Sequence, residues 1–467
     1  MRSLFLRVWL AWFGFNLCAG GFVCAAEPKA PNFVVFLADD LGWGDLGCYG
    51  HPIIQTPHLD TFAKQGVRLT QCYAASAVCS PSRSAILTGR TPYRNGVFTW
   101  IPEGRAIHLR SSEITIPKLL QARGYATCHV GKWHLNSHFN QPAQPQPNDH
   151  GYDWWLATQN NALPSHEHPT NFVRNAKPIG RIEDYSAPFI VKEASTWLKQ
   201  HRDPAKPFFL SVWTHEPHYP IKSAPEFKAR YPQLTDDVQR EHHANVTQMD
   251  HAFGQLMKTL DELGLAENTF VIFSSDNGPE GDGIKSPGRG STGGLRGRKR
   301  AVYEGGIRVP GLVRWPGHLR PGTTSDVPVV GSDIFATVCA LTGTPLPADR
   351  VIDGGNLLPA LNGQPVQRPR PLYWRCDIAP GELKTALRIG DWKLVADEAL
   401  TKFELYNVQR DAQEQTELSA SEPAKLKELQ GALRQLNAEI EAEGPDWWKT
   451  YPRGGKAAGK KANPKKK

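Results

Sequence analysis

Four short apolar runs, each ending abruptly in charged or hydrogen-bonding side chains, constrain the fold of this chain most strongly. Phe33-Val34-Val35-Phe36-Leu37 leads into Asp39-Asp40, and the stretch from Tyr125 to Val130 leads into Gly131-Lys132-Trp133-His134. The stretch from Phe208 to Trp213 leads into Thr214-His215-Glu216-Pro217-His218, and that from Thr269 to Phe273 into Ser274-Ser275-Asp276-Asn277-Gly278. A run that is apolar at every position, rather than at alternate ones, is buried on both faces, as parallel strands between helical layers are. In an α/β sheet of that kind the carboxyl ends of the strands line one edge, and ligands bind there. Segments distant in sequence then meet in one site. One polar residue after a strand ordinarily only starts a loop, but four such ends with this composition bring chemistry together.

Asp39-Asp40 and Asp276-Asn277 offer hard oxygen ligands of the type calcium or magnesium takes. Each pair alone reads equally well as a solvated turn. Lys132, His134, His215 and His218 add positive charge and proton donors. Cations beside such a site imply an anionic group on the substrate, phosphate or sulfate. A further segment runs from Cys79-Ser80-Pro81-Ser82-Arg83 to Thr88-Gly89-Arg90. Pro81 suits the first turn of a helix. Cys79 then lies just before the helix N-terminus, where free amides favour an anion, and Arg83 follows about one turn later.

The net charge of +8 and pI near 9.0 suggest a polyanion-binding face until the charge is located. Residues 1–26 carry Arg2 and Arg7 and no acid, and residues 451–467 carry seven Lys and Arg and no acid, which leaves the body between them at −1. No nucleic-acid partner follows. The basic start, the apolar stretch from Val8 to Leu17 and the small residues Cys24-Ala25-Ala26 read as a signal peptide over 1–26. The chain is therefore expected to be exported, periplasmic or secreted, without stable membrane insertion, because the apolar stretch is short for a span. The 451–467 tail reads as disordered and solvated. Cys48, Cys72, Cys79, Cys128, Cys339 and Cys376 have neither zinc-site nor disulfide-scaffold spacing. After the Pro- and Arg-rich link around Gln364–Pro371, the segments Thr385–Ile389, Trp392–Val395 and Phe403–Tyr406 read as short antiparallel strands. Ala424 to Glu441 has helical spacing through Leu426, Leu429, Leu433, Leu436 and Ile440.

Cys79 to Gly89 matches C-x-P-S-R-x-x-x-x-T-G at every fixed position, and the chain resembles the formylglycine-dependent (type I) sulfatase family, arylsulfatase-like, from Pro31 to about Tyr406. The resemblance implies an α/β fold, with an alkaline-phosphatase-like mixed sheet flanked by helices over 27–365 and a small antiparallel-sheet-plus-helix subdomain over 366–450. It implies that a maturation enzyme oxidises Cys79 to formylglycine, and that Asp39, Asp40, Asp276, Asn277 and the converted Cys79 hold one calcium ion. Lys132 and His134 match a G-K-W-H element, and Lys299 matches a lysine segment in which Arg298 and Arg300 stand where glycines are often found. In the implied reaction the hydrated aldehyde, held by Arg83, attacks sulfur while Lys132 and Lys299 offset charge on the sulfuryl oxygens. A histidine protonates the departing alcohol, and His134 drives release of sulfate. His218 and His215 both fit the alcohol-protonating position. His218 is assigned to it and His215 to the sulfate or sugar. Trp154 either packs or stacks on a sugar face and is taken as substrate-binding, and His166 and His168 fit a metal cluster or, in preference, a pocket-lining loop. The function implied is hydrolysis of sulfate esters, on a sulfated small molecule or polysaccharide. The alternatives are a formylglycine-dependent phosphonate or phosphate ester hydrolase, and a non-catalytic calcium-dependent glycan-binding protein. Against the last, every catalytic position is filled.

Overall fold

The computed structural model describes residues 30–281 and 289–445. The signal-peptide and basic-tail expectations lie outside these residues. The four apolar runs are strands: β1 (Asn32–Ala38), β2 (Ala126–Lys132), β4 (Phe208–Trp213) and β5 (Thr269–Ser275). A further strand, β3 (Trp154–Thr158), was not anticipated. These five are parallel, in the order β5-β1-β4-β2-β3. Short strands extend the sheet to ten. Gly311–Arg314, antiparallel to β5, with Val67–Leu69 and Thr323–Ser325 beyond it, lies on one side, and Val173–Arg174 and Lys177–Pro178 lie on the other.

Both faces of the sheet are covered, which is why β1 has no alternation. Phe33, Val35 and Leu37 point into one core together with Ile86 and Leu87 of α1 (Cys79–Thr88) and Ile334, Phe335 and Val338 of α4 (Asp333–Thr342). Val34, Phe36 and Ala38 point into the other. There they meet Ile190 and Val191 of α2 (Ser186–Thr196) and Met249, Phe253 and Leu256 of α3 (Asp237–Glu262). Each apolar side chain so buried is worth about 1.5–3 kcal/mol. Because the strands are parallel, β1, β2, β3, β4 and β5 all deliver their final residues to the same edge.

Four strands, β6 (Leu372–Arg375), β7 (Leu383–Ile389), β8 (Trp392–Asp397) and β9 (Phe403–Asn407), form a separate antiparallel sheet. Helix α5 (Pro423–Glu443) buries Leu429, Leu433, Leu436 and Ile440. The small sheet is locked to the main body through buried polar contacts. Lys393 Nζ lies 2.9 Å from Glu304 Oε1 and 2.8 Å from Glu414 Oε1, and Trp374 Nε1 donates to Ala74 O at 2.8 Å. Arg94 of the main body pairs with Asp353 and with Glu439 and Glu443 of α5. Among the described residues no helix is long and apolar enough to cross a membrane.

Candidate active site

Helix α1 begins with Cys79 itself, after extended Val78, so the thiol sits in the first turn among amides without helical partners. The Sγ atom lies 3.2 Å from His134 Nδ1. The other ring nitrogen, Nε2, lies 3.0 Å from the carbonyl of Ile101. A carbonyl accepts only from N–H, so Nε2 carries the ring proton and Nδ1 turns a lone pair toward position 79. Burial first, then the nearby Lys132 and Arg83, holds His134 well below the usual histidine range, leaving it a neutral acceptor. Gly131 makes this geometry accessible: at φ 110° it approaches β4 so closely that a Cβ would stand 1.9 Å from Trp213 O.

Opposite the thiol, the ends of β1 and β5 bring Asp39, Asp40, Asp276 and Asn277 together, each at most 2% exposed. Lys132 Nζ donates to Asp39 Oδ2 at 2.6 Å, and Lys299 Nζ to Asp40 Oδ2 at 2.7 Å. Arg83 grips Asp276 Oδ2 through Nε and Nη2 at 2.9 and 2.7 Å and donates to Lys132 O at 3.0 Å. Asn277 Nδ2 donates to Asp40 Oδ1 at 2.7 Å. Burial, and then Asp39, push Asp276 up to about 6 against the pull of Arg83. For Asp40, burial is outweighed by Lys299 and His218, which hold it below the usual carboxylate range.

The cluster suits a cation. Asp39 Oδ1 and Asn277 Oδ1 are buried acceptors without a hydrogen-bond donor, and such groups call for a partner. Asp39, Asp40 and His218 each place a ligand atom within 4.8 Å of the others. Three carboxylates and an amide oxygen form the hard-oxygen set that calcium or magnesium prefers. His218, whose Nε2 is 3.6 Å from Asp40 Oδ2, brings a nitrogen into the same cluster.

A cavity of about 340 Å³ opens over this edge. Cys79, His134, His218 and Lys299 line it, together with Trp100, Asn160, Asn161, Tyr219, Glu280 and Arg300. Arg83 and Lys132 stand behind it, engaged with the carboxylates and 0% exposed.

Two assignments move. His215 is not beside the cavity: Thr158 Oγ1 lies 2.7 Å from its Nε2 and Ser186 Oγ 2.8 Å from its Nδ1, so both ring nitrogens serve the scaffold. Trp154 opens β3 opposite Cys128 and so lies at the wrong end of the sheet for substrate. It stacks on His201 at 4.4 Å and donates to Glu193 at 3.2 Å. Of the loop histidines, His166 is buried and contacts Asn245 at 3.2 Å, while His168 is partly exposed and lies 3.3 Å from Glu183. Neither lines the cavity. Sequence reading missed Glu280, which bridges Lys299 at 3.0 Å and Arg300 at 2.7 Å. Its position just past Asp276-Asn277, on the same strand-end loop, was the available signal. Asn160 and Asn161 were missed because β3 was.

The six described cysteines outside residues 1–29 are free thiols. Burial, opposed by Lys132 and Lys299, raises the Cys79 thiol above its ordinary value, so an unmodified Cys79 would be a poor nucleophile.

Buried cations beside a hard-ligand cluster, at the carboxyl edge of a parallel sheet, define a hydrolase of anionic esters. Comparison with known proteins specifies which. The family model described as Sulfatase matches residues 31–344, and that described as N-sulphoglucosamine sulphohydrolase, C-terminal, matches 297–442. Arylsulfatase A of Homo sapiens is 34% identical over 465 residues, covering 88% of each chain. N-acetylgalactosamine-6-sulfatase of Rattus norvegicus is 34% identical over 401 residues, covering 81% of this chain and 73% of the relative. The solved structure described as Ps i-CgsB superposes with a TM-score of 0.79 at 26% identity, over 89% of this chain and 94% of that one. The same protein has been solved in complex with k-i-k-neocarrahexaose. The chain belongs to the sulfatase family and is a sulfuric ester hydrolase.

Proposed function

We propose that the protein is an exported sulfatase that hydrolyses sulfate esters of carbohydrates, using a formylglycine made from Cys79 by a maturation enzyme and one calcium ion. The single observation that carries this reading is the Cys79–His134 contact of 3.2 Å at the head of α1, within a signature matched at each fixed position. Asp39, Asp40, Asp276 and Asn277 would hold calcium, with the oxygen made at position 79 completing the set. When present, formylglycine supplies the attacking oxygen in its hydrated form, and calcium polarises the sulfuryl group.

The protein's own side chains do the remaining work. His134 Nδ1 accepts a proton at position 79, its tautomer set by Ile101 O. Lys299, lining the cavity, and Lys132, behind it, supply positive charge for the sulfuryl oxygens as the ester bond breaks. Arg83 holds Asp276 and so positions a metal ligand. His218, whose Nδ1–H donates to Tyr219 O, turns Nε2 toward the same cluster, and in its doubly protonated form it gives the Nε2 proton to the departing alcohol. Residues 1–26 supply the export signal. The carbohydrate reading draws support from the N-acetylgalactosamine-6-sulfatase and from the saccharide complex among the similar proteins.

The test is turnover of matched aryl sulfate and aryl phosphate esters by matured, calcium-loaded enzyme. A kcat/KM preference for the sulfate supports the proposal, and a preference for the phosphate overturns it in favour of a phosphate or phosphonate ester hydrolase.

A further inference from the structure

Two features of the cavity are not used by the chemistry at Cys79. The first is a pair of side-chain amides. Asn160 and Asn161 follow β3, with Oδ1 atoms that are buried without a hydrogen-bond partner in the protein. Their backbone is held: Thr158 Oγ1 donates to Asn160 O at 2.8 Å, and Asn171 Nδ2 to Asn161 O at 2.8 Å. Buried polar groups are ordinarily satisfied, so two adjacent amide oxygens without a protein donor, on residues that line the cavity, point to hydrogen bonds made with a ligand. An amide both donates and accepts, as a sugar hydroxyl does.

The second feature is aromatic. Among the described residues six large apolar side chains are exposed, and two of them, Trp100 at 43% and Tyr219 at 70%, line this one cavity. Aromatic faces with polar edges pack on surfaces that are apolar on one side and hydroxylated at the rim. Arg300, on the same wall, has φ 76°, a left-handed conformation rare for a residue other than glycine, and is held there by its ion pair with Glu280 at 2.7 Å. Backbone held in that region clusters at functional sites.

We infer that Asn160, Asn161, Trp100 and Tyr219 form a sugar subsite adjoining the sulfate position, which receives one pyranose ring as the leaving alcohol. Asn160 and Asn161 read ring hydroxyls, and Trp100 and Tyr219 cover the apolar face of the ring. At about 340 Å³ the cavity lies near the lower end of the ligand-pocket range of roughly 300–1,000 Å³, a size suited to a sulfated monosaccharide unit. This assignment rests on the sulfatase reading above and goes beyond it by naming the residues that choose the alcohol.

The experiment measures kcat/KM of matured enzyme on 4-methylumbelliferyl sulfate and on the 2-, 3-, 4- and 6-sulfates of galactose and glucose. Wild type and the variants N160A, N161A and W100A are compared by the ratio of the best hexose sulfate to the aryl sulfate. A ratio cancels the fraction of each preparation that is folded and matured. The subsite predicts that wild type prefers at least one hexose sulfate, and that each variant lowers the ratio about tenfold, as expected when a site built to hydrogen-bond a hydroxyl loses a partner. A ratio changed less than threefold in all three variants overturns the subsite. So does a wild type that cleaves the aryl sulfate but prefers no hexose sulfate, while leaving the sulfatase reading intact. Cleavage of neither class overturns the sulfatase reading and the subsite together.

Discussion

At the scale of the residue, the site works by giving the two ring nitrogens of His134 different partners. His134 gives its Nε2 proton to Ile101 O and keeps Nδ1 for position 79. His134→Ala removes that acceptor, and kcat should fall by about 10²–10⁴-fold with little change in KM, measured under saturating aryl sulfate. A smaller loss would assign proton transfer to another group. His218 is expected to matter in proportion to how poor the leaving group is. His218→Ala should cost far more on an alkyl or sugar sulfate than on 4-nitrophenyl sulfate, whose phenolate departs without a proton. Equal losses on both would remove His218 from that role. The sequence could not separate His218 from His215, since both follow β4 within a few residues. The separation comes from Thr158 and Ser186, which reach His215 from β3 and α2. Contacts made by side chains far along the chain are invisible in a local pattern. The signature around Cys79 was legible because one helix start carries it whole.

At the scale of the element, parallel strands explain why residues from 39 to 299 converge. The four apolar runs announced β1, β2, β4 and β5, because burial on both faces removes the polar positions that would have made them ambiguous. Strand β3 escaped notice because Trp154 drew a ligand-stacking reading, whereas its place at the start of a strand makes it scaffold. Three of the four C-terminal strands and α5 were legible from their alternation and helical spacing, but β6 was not, and neither was the lock between sheet and body. Lys393 is 0% exposed and lies between two buried carboxylates, Glu304 and Glu414. Lys393→Met leaves those two acids facing one another in a dry interface. It should cost about 3–5 kcal/mol, the usual penalty for removing one partner of a buried ion pair. Urea denaturation checks this, and a loss under about 1 kcal/mol would show that Arg308, 3.4 Å from Glu304, compensates.

At the scale of the whole molecule, titration should give stability a maximum. Away from the strand-end cluster, burial holds nine histidines below their ordinary value of 6.5: His129, His150 and His166 at about 3, His243 at about 4, His215 and His242 well below, and His51, His58 and His108 in the same direction. Their folded values lie below their unfolded ones. Unfolding therefore takes up protons below pH 6.5, and stability falls as the pH drops. Burial also raises Asp45, Glu216, Asp250 and Glu414 to about 7. Those groups stabilise fully below their unfolded values near 4 and lose that contribution as pH rises through 7. The histidines outnumber the acids, so between about pH 4.5 and 6.5 the net slope is upward, and above 6.5 only the acids act. The urea midpoint should peak near pH 6.5 and decline on both sides. A midpoint rising steadily from pH 5 to 8.5 would contradict this balance.

The same scale resolves the charge. The +8 belongs to the two ends, and the body near −1 concentrates Arg83, Lys132 and Lys299 on three carboxylates at one sheet edge. Anion handling is thus local, and the proposed conversion of Cys79 puts one side chain at its centre. Peptide mass spectrometry of the Cys79-containing segment, on protein isolated from its native host and active on a sulfate ester, tests that most directly. The account predicts an aldehyde at position 79 in the active fraction. A fully active enzyme carrying an intact cysteine thiol at position 79 would contradict it.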